Sequence, residues 1–449
     1  MTVSSKKEAL LLFVGDLFFF LLSLWLTLFV RYQTVPERSV FYEHLLPFSI
    51  LFVFWFIVFF IAGLYEKHTL ILKGKIPTII FNSQLINSGI AVAFFYYLVP
   101  FFVIAPKTNL IIYIIISFVA MIFWRIYGSP LLFMRSKQKA ILVGSGEEMQ
   151  ELREEVNNNS RYDLYFISSI DLNDIGSLDF REEILKRVYS EGVHVIAADL
   201  RSDKVEPILP SLYNLIFSKV RFIDMYKIYE DIFDRIPLSL VKYNWFLENI
   251  SISANKTNDL LKRAMDIVIS FVVGAFSLLL YPFVIIAIKL DDGGPIFFSQ
   301  DRIGQNNSII RTVKFRSFPP HEEKDGMAKS LQITKVGAFL RKTRIDELPQ
   351  IWSVLKGDLS LIGPRPEIPN LVKLYEKEIP YYNIRHLIKP GLSGWAQLYQ
   401  RMPPKWRADF SETKIKLSYD LYYIKNRSFM LDVKIALKTL KTILSKTGI

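Results

Sequence analysis

Two adjacent acids, Asp346 and Glu347, lie just before Pro349 in the stretch RIDELPQIW, directly after Arg341, Lys342 and Arg344. Proline lacks an N–H, so it belongs in the first turn of a helix rather than its interior. A helix through ELPQIWSVL is therefore expected to begin near Asp346, with Asp346 as its N-cap and Glu347 in its first turn. Free N–H groups and the positive dipole end favour anions there, whether carboxylate or bound phosphate. The basic neighbours are expected to keep such a carboxylate ionised, which suits a nucleophile or a metal ligand and not a proton donor. The same pair also fits an ordinary helix cap with salt bridges, because acids at helix starts are common.

The surroundings favour chemistry. The segments QDRIGQ, VKFRSF, LIGPRPE and IKPGLSGWAQ supply Arg302, Lys314, Arg316, Arg365 and Lys389 on glycine- and proline-rich turns, and Arg341 stands beside the acids. Arginine forks match phosphate oxygens two at a time. Together these residues suggest phosphate handling, and a formal net charge of +12 suits an anionic partner. Trp395 and Tyr399 read as core or interfacial aromatics. No nucleic-acid module is recognisable. The absence of cysteine excludes disulfides, iron–sulfur ligation and thiol catalysis, and the five histidines form no His-x-x-x-His pair of the zinc-binding kind.

Hydrophobic residues make up 51% of the 449, a content that suits a chain partly dissolved in lipid. Four apolar runs, near residues 9–30, 45–64, 79–102 and 110–127, each approach the ~20 residues a helix needs to cross a bilayer. The first contains Asp16 and is read as a span, not a cleavable signal. Asp16 and Asn87 are expected to face other helices. Lys6 and Lys7 before the first span, Lys67, Lys73 and Lys75 in the second loop, and Arg135, Lys137 and Lys139 after the fourth place both ends of the bundle in the cytoplasm. No relay of intramembrane charges suggests a transporter.

A fifth apolar segment, MDIVISFVVGAFSLLLYPFVIIAIKL, has basic residues on both flanks and Pro282 within it. Basic flanks on one side of the membrane require the chain to enter and leave by the same face. A re-entrant helix–break–helix over about residues 259–290, bent at Pro282, is the expectation; a kinked full span is the alternative. The C-terminal LDVKIALKTLKTILSKTGI reads as a basic amphipathic helix, to lie on lipid or to pack on its domain.

Between these membrane segments, KAILVGSGEEMQELREEV reads as strand, turn and helix, LYFISSID, VHVIAADL and VRFID as further strands, and REEILKRVYSEG as a helix. This alternation predicts a parallel, Rossmann-like sheet. Gly144 and Gly146 begin a dinucleotide fingerprint, but Met149 occupies its third glycine position, and Asp171 either meets a ribose or ends a strand. No Tyr-x-x-x-Lys occurs between residues 137 and 250. A domain without cofactor is expected.

From Lys262 to Gln400, and on toward the C-terminus, the chain resembles the bacterial sugar transferases, monotopic polyprenyl-phosphate phosphoglycosyl transferases. The resemblance rests on LKRAMDIVIS, GGPIFFSQDRIG, VKFRS, RKTRIDELPQIWSVLKGDLSLIGPRPE and KPGLSGWAQ, in that order. Four spans and a Rossmann-like domain ahead of that core resemble the family's large form, which initiates exopolysaccharide, capsule or O-antigen units. The resemblance implies that Asp346 attacks the sugar-bearing phosphate of a UDP-sugar, releasing UMP, and that polyprenyl phosphate then takes the sugar phosphate from the aspartate. It also implies that Glu347 binds Mg²⁺. Arg344, Ser353 and Lys389 stand where the family usually has serine, asparagine and arginine, which leaves the donor sugar open. The segment FPPHEEKDGMAKS reads as a loop.

The expected architecture is thus an α-helical membrane protein joined to α/β domains. Residues 1–130 form a four-helix transmembrane bundle, 137–250 a Rossmann-like domain, and 256–449 a membrane-associated α/β catalytic domain with the re-entrant helix. The bacterial inner membrane, with the catalytic domain in the cytoplasm, is the expected location, and the large middle domain is compatible with a homodimer. A membrane-tethered nucleotide-sugar epimerase or dehydratase, and a non-enzymatic assembly scaffold, are the competing readings.

Overall fold

A backbone amide in lipid finds no water to bond, so long apolar runs close into helices. In the computed structural model, residues 6–65, 76–98, 107–128, 137–159, 162–173, 180–206, 209–218, 220–250, 256–319, 333–400 and 409–444 are described. Helices α1 (Lys6–Tyr32), α2 (Arg38–Ala62), α3 (Ile76–Leu98) and α4 (Lys107–Phe123), the last extended by the π-helical turn Trp124–Gly128, carry four stretches of 24, 25, 22 and 21 residues, long and apolar enough to cross a membrane. Phe20, Phe48, Phe52, Trp55 and Tyr113 fill the core between them, while Phe18, Leu46, Phe81 and Ile115 remain exposed.

Asp16 faces its neighbours, as expected. It accepts from Tyr65 Oη at 2.7 Å and from Arg125 Nε at 3.0 Å, and Arg125 lies in the π-helical turn Trp124–Gly128. Asn87 is buried too, its carbonyl accepting from Trp55 Nε1 at 3.1 Å. Lys67, Lys73, Lys75 and Arg135, used above for orientation, lie outside the described residues.

The chain divides into two compact units, Met1–Ile232 and Phe233–Ile449. The first also holds β1 (Gln138–Gly144), α5 (Glu147–Asn158), β2 (Leu164–Asp171), α6 (Phe180–Glu191), β3 (Val195–Ala198), α7 (Leu209–Asn214), β4 (Arg221–Asp224) and, at its end, α8 (Met225–Phe233). Their sheet is wholly parallel, in the order β2-β1-β3-β4, and the unbroken apolar runs of β1 and β3 are buried. Gly144 packs against Met225; a Cβ there would lie 2.6 Å from the Met225 sulfur. The first turn of α5 carries Glu147 and Glu148, carboxylates where a pyrophosphate would need a positive end.

Residues 233–250, placed above with the Rossmann-like domain, belong to the second unit. There Trp395 Nε1 donates to the Asp234 carbonyl at 2.8 Å, and α9 (Tyr243–Asn249) packs Phe246 against Tyr381, ring centres 4.4 Å apart. This unit is organised along α10 (Lys256–Asp292), a single helix of 37 residues. The expected break at Pro282 is absent: the helix continues through it. A proline removes only one intrahelical bond, and neighbouring residues on both sides of Pro282 are fastened to the domain. Lys262 Nζ donates to the Ile362 carbonyl at 2.8 Å, and Arg263 donates to the carbonyls of Val354 and Leu355 at 2.7 Å. Buried Asp266 accepts from Ser360 Oγ and the Leu361 amide. Trp352 Nε1 donates to Tyr281 Oη at 3.2 Å, and Val284 and Ile288 join Phe315 and Leu340 in a core. The opposite face exposes Phe271, Phe276, Leu279 and Phe283.

Strands β5 (Phe297–Ile303) and β6 (Ile309–Phe315) form an antiparallel hairpin, followed by α11 (Lys335–Thr343) and α12 (Gln350–Lys356). Strands β7 (Ser360–Ile362) and β8 (Gly391–Ser393) pair in parallel. The glycines of LIGPRPE and KPGLSGWAQ serve this pairing: a Cβ on Gly391 would lie 2.1 Å from the Gly363 amide nitrogen. The unit is completed by α13 (Pro369–Glu378), α14 (Trp395–Tyr399), α15 (Phe410–Lys425) and α16 (Phe429–Leu444). The C-terminal helix α16 packs on the domain, with Ile435 fully buried and Asp432 accepting from Lys262 and Tyr423. The loop expected after VKFRS falls largely outside the described residues.

Candidate active site

Asp346 is not a helix N-cap. Arg344 takes a left-handed conformation (φ 60°, ψ 14°) that ends α11 and turns the chain into the 3-10 turn Ile345–Glu347, which runs into α12. The left-handed turn, rather than an acidic cap, starts the new helix, and Asp346 makes no capping bond. The acids therefore sit inside a tight turn braced by β6 and by the Gly363–Pro366 segment.

Glu347 is the electrostatic centre. Lys314 Nζ from β6 and Arg365 Nη2 from the turn after β7 both donate to its Oε1 at 2.7 Å. Burial pushes the Glu347 carboxyl upward, but Arg365 and Lys314 outweigh it, so the group ionises well below the usual carboxylate range. Its Oε2 carries no hydrogen bond among the described residues. The cations respond in turn: burial lowers Lys314 despite Glu347, while Glu347 raises Arg365.

Asp346 is 8% exposed, and its Oδ1 is buried without a hydrogen-bond partner. Burial, with the charge of Glu347 beside it, raises its carboxyl above the ordinary value; Lys314, Arg341 and Arg344 offset only part of this. The expectation that basic neighbours dominate is corrected here: desolvation of the turn outweighs them.

Arg302 lies beside this group, donating to Gln300 Oε1 at 2.6 Å and to the Pro366 carbonyl at 3.2 Å, with its pKa lowered by burial. Arg341 stacks its guanidinium over Phe318, 5.1 Å from the ring centre, within electrostatic reach of Asp346. Arg302, Lys314, Arg341 and Arg365 are thus assembled around the acid pair. Arg316 and Lys389 have other settings. The Arg316 side chain is 2% exposed and clamps Asp292 at the end of α10, also donating to the carbonyls of Pro295 and Phe318. Exposed Lys389 stands near Gly357 and Arg263, at the far end of α12.

Two features escape a reading by motif. Gln350, one helical turn past Asp346, is 5% exposed with its Nε2 unpartnered. Behind Arg365 lies a buried network: Arg385 donates to the Arg365 carbonyl at 2.9 Å and pairs with Asp420 at 2.8 Å, and Lys416 pairs with Glu367. Only Glu367 belongs to a segment singled out in the sequence. The site as a whole presents several cations and one firmly ionised carboxylate around a second carboxylate with an unengaged oxygen. Such a set can neutralise a diphosphate and offer it a nucleophile.

The family model described as bacterial sugar transferase matches residues 257–446. An Aeromonas hydrophila protein named UDP-N-acetylgalactosamine-undecaprenyl-phosphate N-acetylgalactosaminephosphotransferase is 45% identical over 193 residues, which cover 42% of this chain and 44% of that protein. The Escherichia coli (strain K12) UDP-glucose:undecaprenyl-phosphate glucose-1-phosphate transferase is 38% identical, with 40% of each chain covered. The match thus spans under half the length of these two relatives. The exopolysaccharide production protein PSS of Rhizobium leguminosarum bv. phaseoli is 36% identical over 41% of this chain and 96% of its own length. A match that takes in nearly the whole of that shorter relative, across the segment that carries the acid pair and its cations, makes this chain a member of the bacterial sugar transferase family.

Proposed function

We propose that this chain is an enzyme that transfers a hexose 1-phosphate from a UDP-sugar to undecaprenyl phosphate, the initiating step of a polysaccharide repeat unit. The observation that carries this reading is the acid pair: Glu347 held ionised by Lys314 and Arg365, and Asp346 buried with an unengaged oxygen. An Asp346 oxygen attacks the phosphorus that bears the sugar. The phosphoanhydride bond breaks, and its electron pair leaves with UMP. A phosphate oxygen of the lipid then attacks the same phosphorus, and the acyl-phosphate bond breaks to return the carboxylate. Two steps let a soluble donor and a lipid acceptor use one site in turn. Arg302, Lys314 and Arg365 neutralise the diphosphate and hold it in line. The relatives named as undecaprenyl-phosphate transferases support this assignment.

Mg²⁺ fits the donor set. It prefers one or two carboxylates with substrate oxygens and water, Glu347 Oε2 is unengaged, and no cluster of three acidic, histidine or cysteine ligands occurs among the described residues. Bound through Glu347, it would withdraw charge from the phosphate oxygens. The deciding experiment is UMP release by the full chain across a panel of UDP-sugars, with undecaprenyl phosphate and Mg²⁺. Release from one or a few sugars, lost on chelation, is expected; no release from any would overturn the reading.

The reading places the site at the bacterial inner membrane, facing the cytoplasm, with α1–α4 as a four-span bundle and the parallel sheet as a Rossmann-like domain. It keeps α10 re-entrant only in the sense that both ends lie on the cytoplasmic side, the unbroken helix running along the domain. Its contacts with the domain run from Lys262 to Asp292, about 45 Å of helix at 1.5 Å per residue. A straight span would need about 30 Å of helix free in the hydrocarbon. The helix is therefore seated on the cytoplasmic domain with its apolar face in the inner leaflet. The chain has no native cysteine, so Thr257→Cys and Asp301→Cys can be labelled singly in sealed inverted vesicles. Both are expected to react from the cytoplasmic side; reaction from opposite sides would leave α10 a full span.

A further inference from the structure

Among the described residues of the second unit, two unpartnered buried side-chain atoms lie one helical turn apart: Asp346 Oδ1 and Gln350 Nε2. The backbone is right-handed helical without interruption between them, through Leu348 (φ −55°, ψ −37°) and Pro349 (φ −60°, ψ −23°). Side chains four residues apart on such a run share a face, and the Cα–Cβ bond of the later one leans back toward the earlier. A buried amide N–H with no partner costs free energy, and an orphaned donor in a native fold calls for an explanation. A ligand that arrives with its own oxygen atoms supplies one.

We propose that Gln350 is a substrate-contacting residue: its side-chain amide donates to a non-bridging oxygen of the phosphoryl group that Asp346 attacks. This deepens the function proposed above and rests on it. An amide can turn either its N–H or its C=O toward a neighbour, and beside a phosphoryl anion it presents the N–H. Lys314 and Arg365 converge on Glu347 Oε1, and Arg341 and Arg344 act on Asp346 at the range of charge, with no hydrogen bond to its Oδ1. Gln350 supplies a neutral donor on the Asp346 face of the turn. A neutral donor there fixes the phosphoryl group for in-line attack without drawing the nucleophile into an ion pair, which would lower its reactivity.

The test uses Gln350→Met, which keeps length and volume but has no donor, in the full-length protein. The rate of UMP release should fall about 100-fold, the scale for losing one preorganised donor to a developing oxyanion, with KM for the UDP-sugar within about threefold of the parent. Thermal stability should hold or rise, since an unsatisfied polar group has been removed. A UDP-sugar carrying sulfur at one non-bridging position of the sugar-bearing phosphate reports the contact directly. The parent should discriminate between its two diastereomers, and the variant should discriminate less. Parent-like UMP release by Gln350→Met would overturn the proposal, as would loss of activity in proportion to lost stability with discrimination intact. Asp346→Asn serves as the control. If it stays active, the transferase reading falls and this inference with it; if it is inactive while Gln350→Met is normal, only the inference falls.

Discussion

Asp346→Asn should abolish UMP release, with a loss on the order of 10⁴-fold or more, the scale seen when a nucleophile is removed from a covalent mechanism. The exchange is isosteric, so the buried turn keeps its shape, but an amide oxygen cannot form the acyl phosphate. The sugar-phosphoryl adduct, sought by mass spectrometry after incubation with donor alone, should be present in the parent and missing from the variant. Stability should move the other way. Burial and Glu347 raise the Asp346 carboxyl above its ordinary value, so its ionised form weakens the fold at every pH above its unfolded pKa. Asparagine removes that penalty, and the thermal midpoint should be unchanged or higher. The contrast with Glu347→Gln is diagnostic, because that change strips Lys314 and Arg365 of their shared partner and should lower stability as well as activity. An Asp346→Asn protein that turns over normally would remove the nucleophile from the mechanism.

How much of this could be read from the chain depended on whether the deciding interactions were local. Four apolar runs and a βαβ alternation are local patterns, and helices α1–α4 and the sheet β2-β1-β3-β4 follow from them. The start of the helix after Asp346 did not, because proline chemistry points to an acidic cap while Arg344 adopts a left-handed turn that only tertiary packing selects. Proline chemistry predicts a break at Pro282, but α10 continues as helix past it, and Trp352, about seventy positions downstream, bonds Tyr281 beside the proline. Neighbourhood in sequence marks all six cations alike as phosphate partners. Lys314 and Arg365 do meet Glu347, whereas Arg316 is engaged by Asp292 and Lys389 lies along α12. The direction of the Asp346 shift, up and not down, has the same cause: charges were visible in the sequence, and the depth of the turn was not. Arg385 and Asp420, which support Arg365 from behind, lie in no motif and become neighbours only in the fold.

That supporting network predicts the largest stability effect. Arg385→Met should cost about 3–5 kcal/mol, the scale for stranding a buried charge partner, lowering the thermal midpoint by roughly 10 °C at neutral pH. Arg385 is 2% exposed, donates to Tyr382 Oη at 2.7 Å and to the Arg365 carbonyl at 2.9 Å, and pairs with Asp420 at 2.8 Å, with Glu367 at 3.8 Å. Its loss leaves Asp420 without that bridging arginine and Glu367 with Lys416 in direct contact and Arg302 at longer range. The pH dependence separates charge from packing. Burial pushes the Glu367 carboxyl up, but Lys416 and Arg385 hold it down at about 2. A depressed carboxylate pKa contributes stability that is complete above the unfolded value near 4.5 and fades as pH falls toward 2. Asp420, raised by burial, takes up its proton more readily still once Arg385 is gone, which relieves the stranded charge. Both effects narrow the difference between parent and variant in acid. Thermal midpoints measured in detergent from pH 7 down to pH 3 should therefore converge. A gap that stays constant across that range would mean that Arg385 acts through its packing over the Tyr382 ring, 5.3 Å from the guanidinium carbon, and not through its charge.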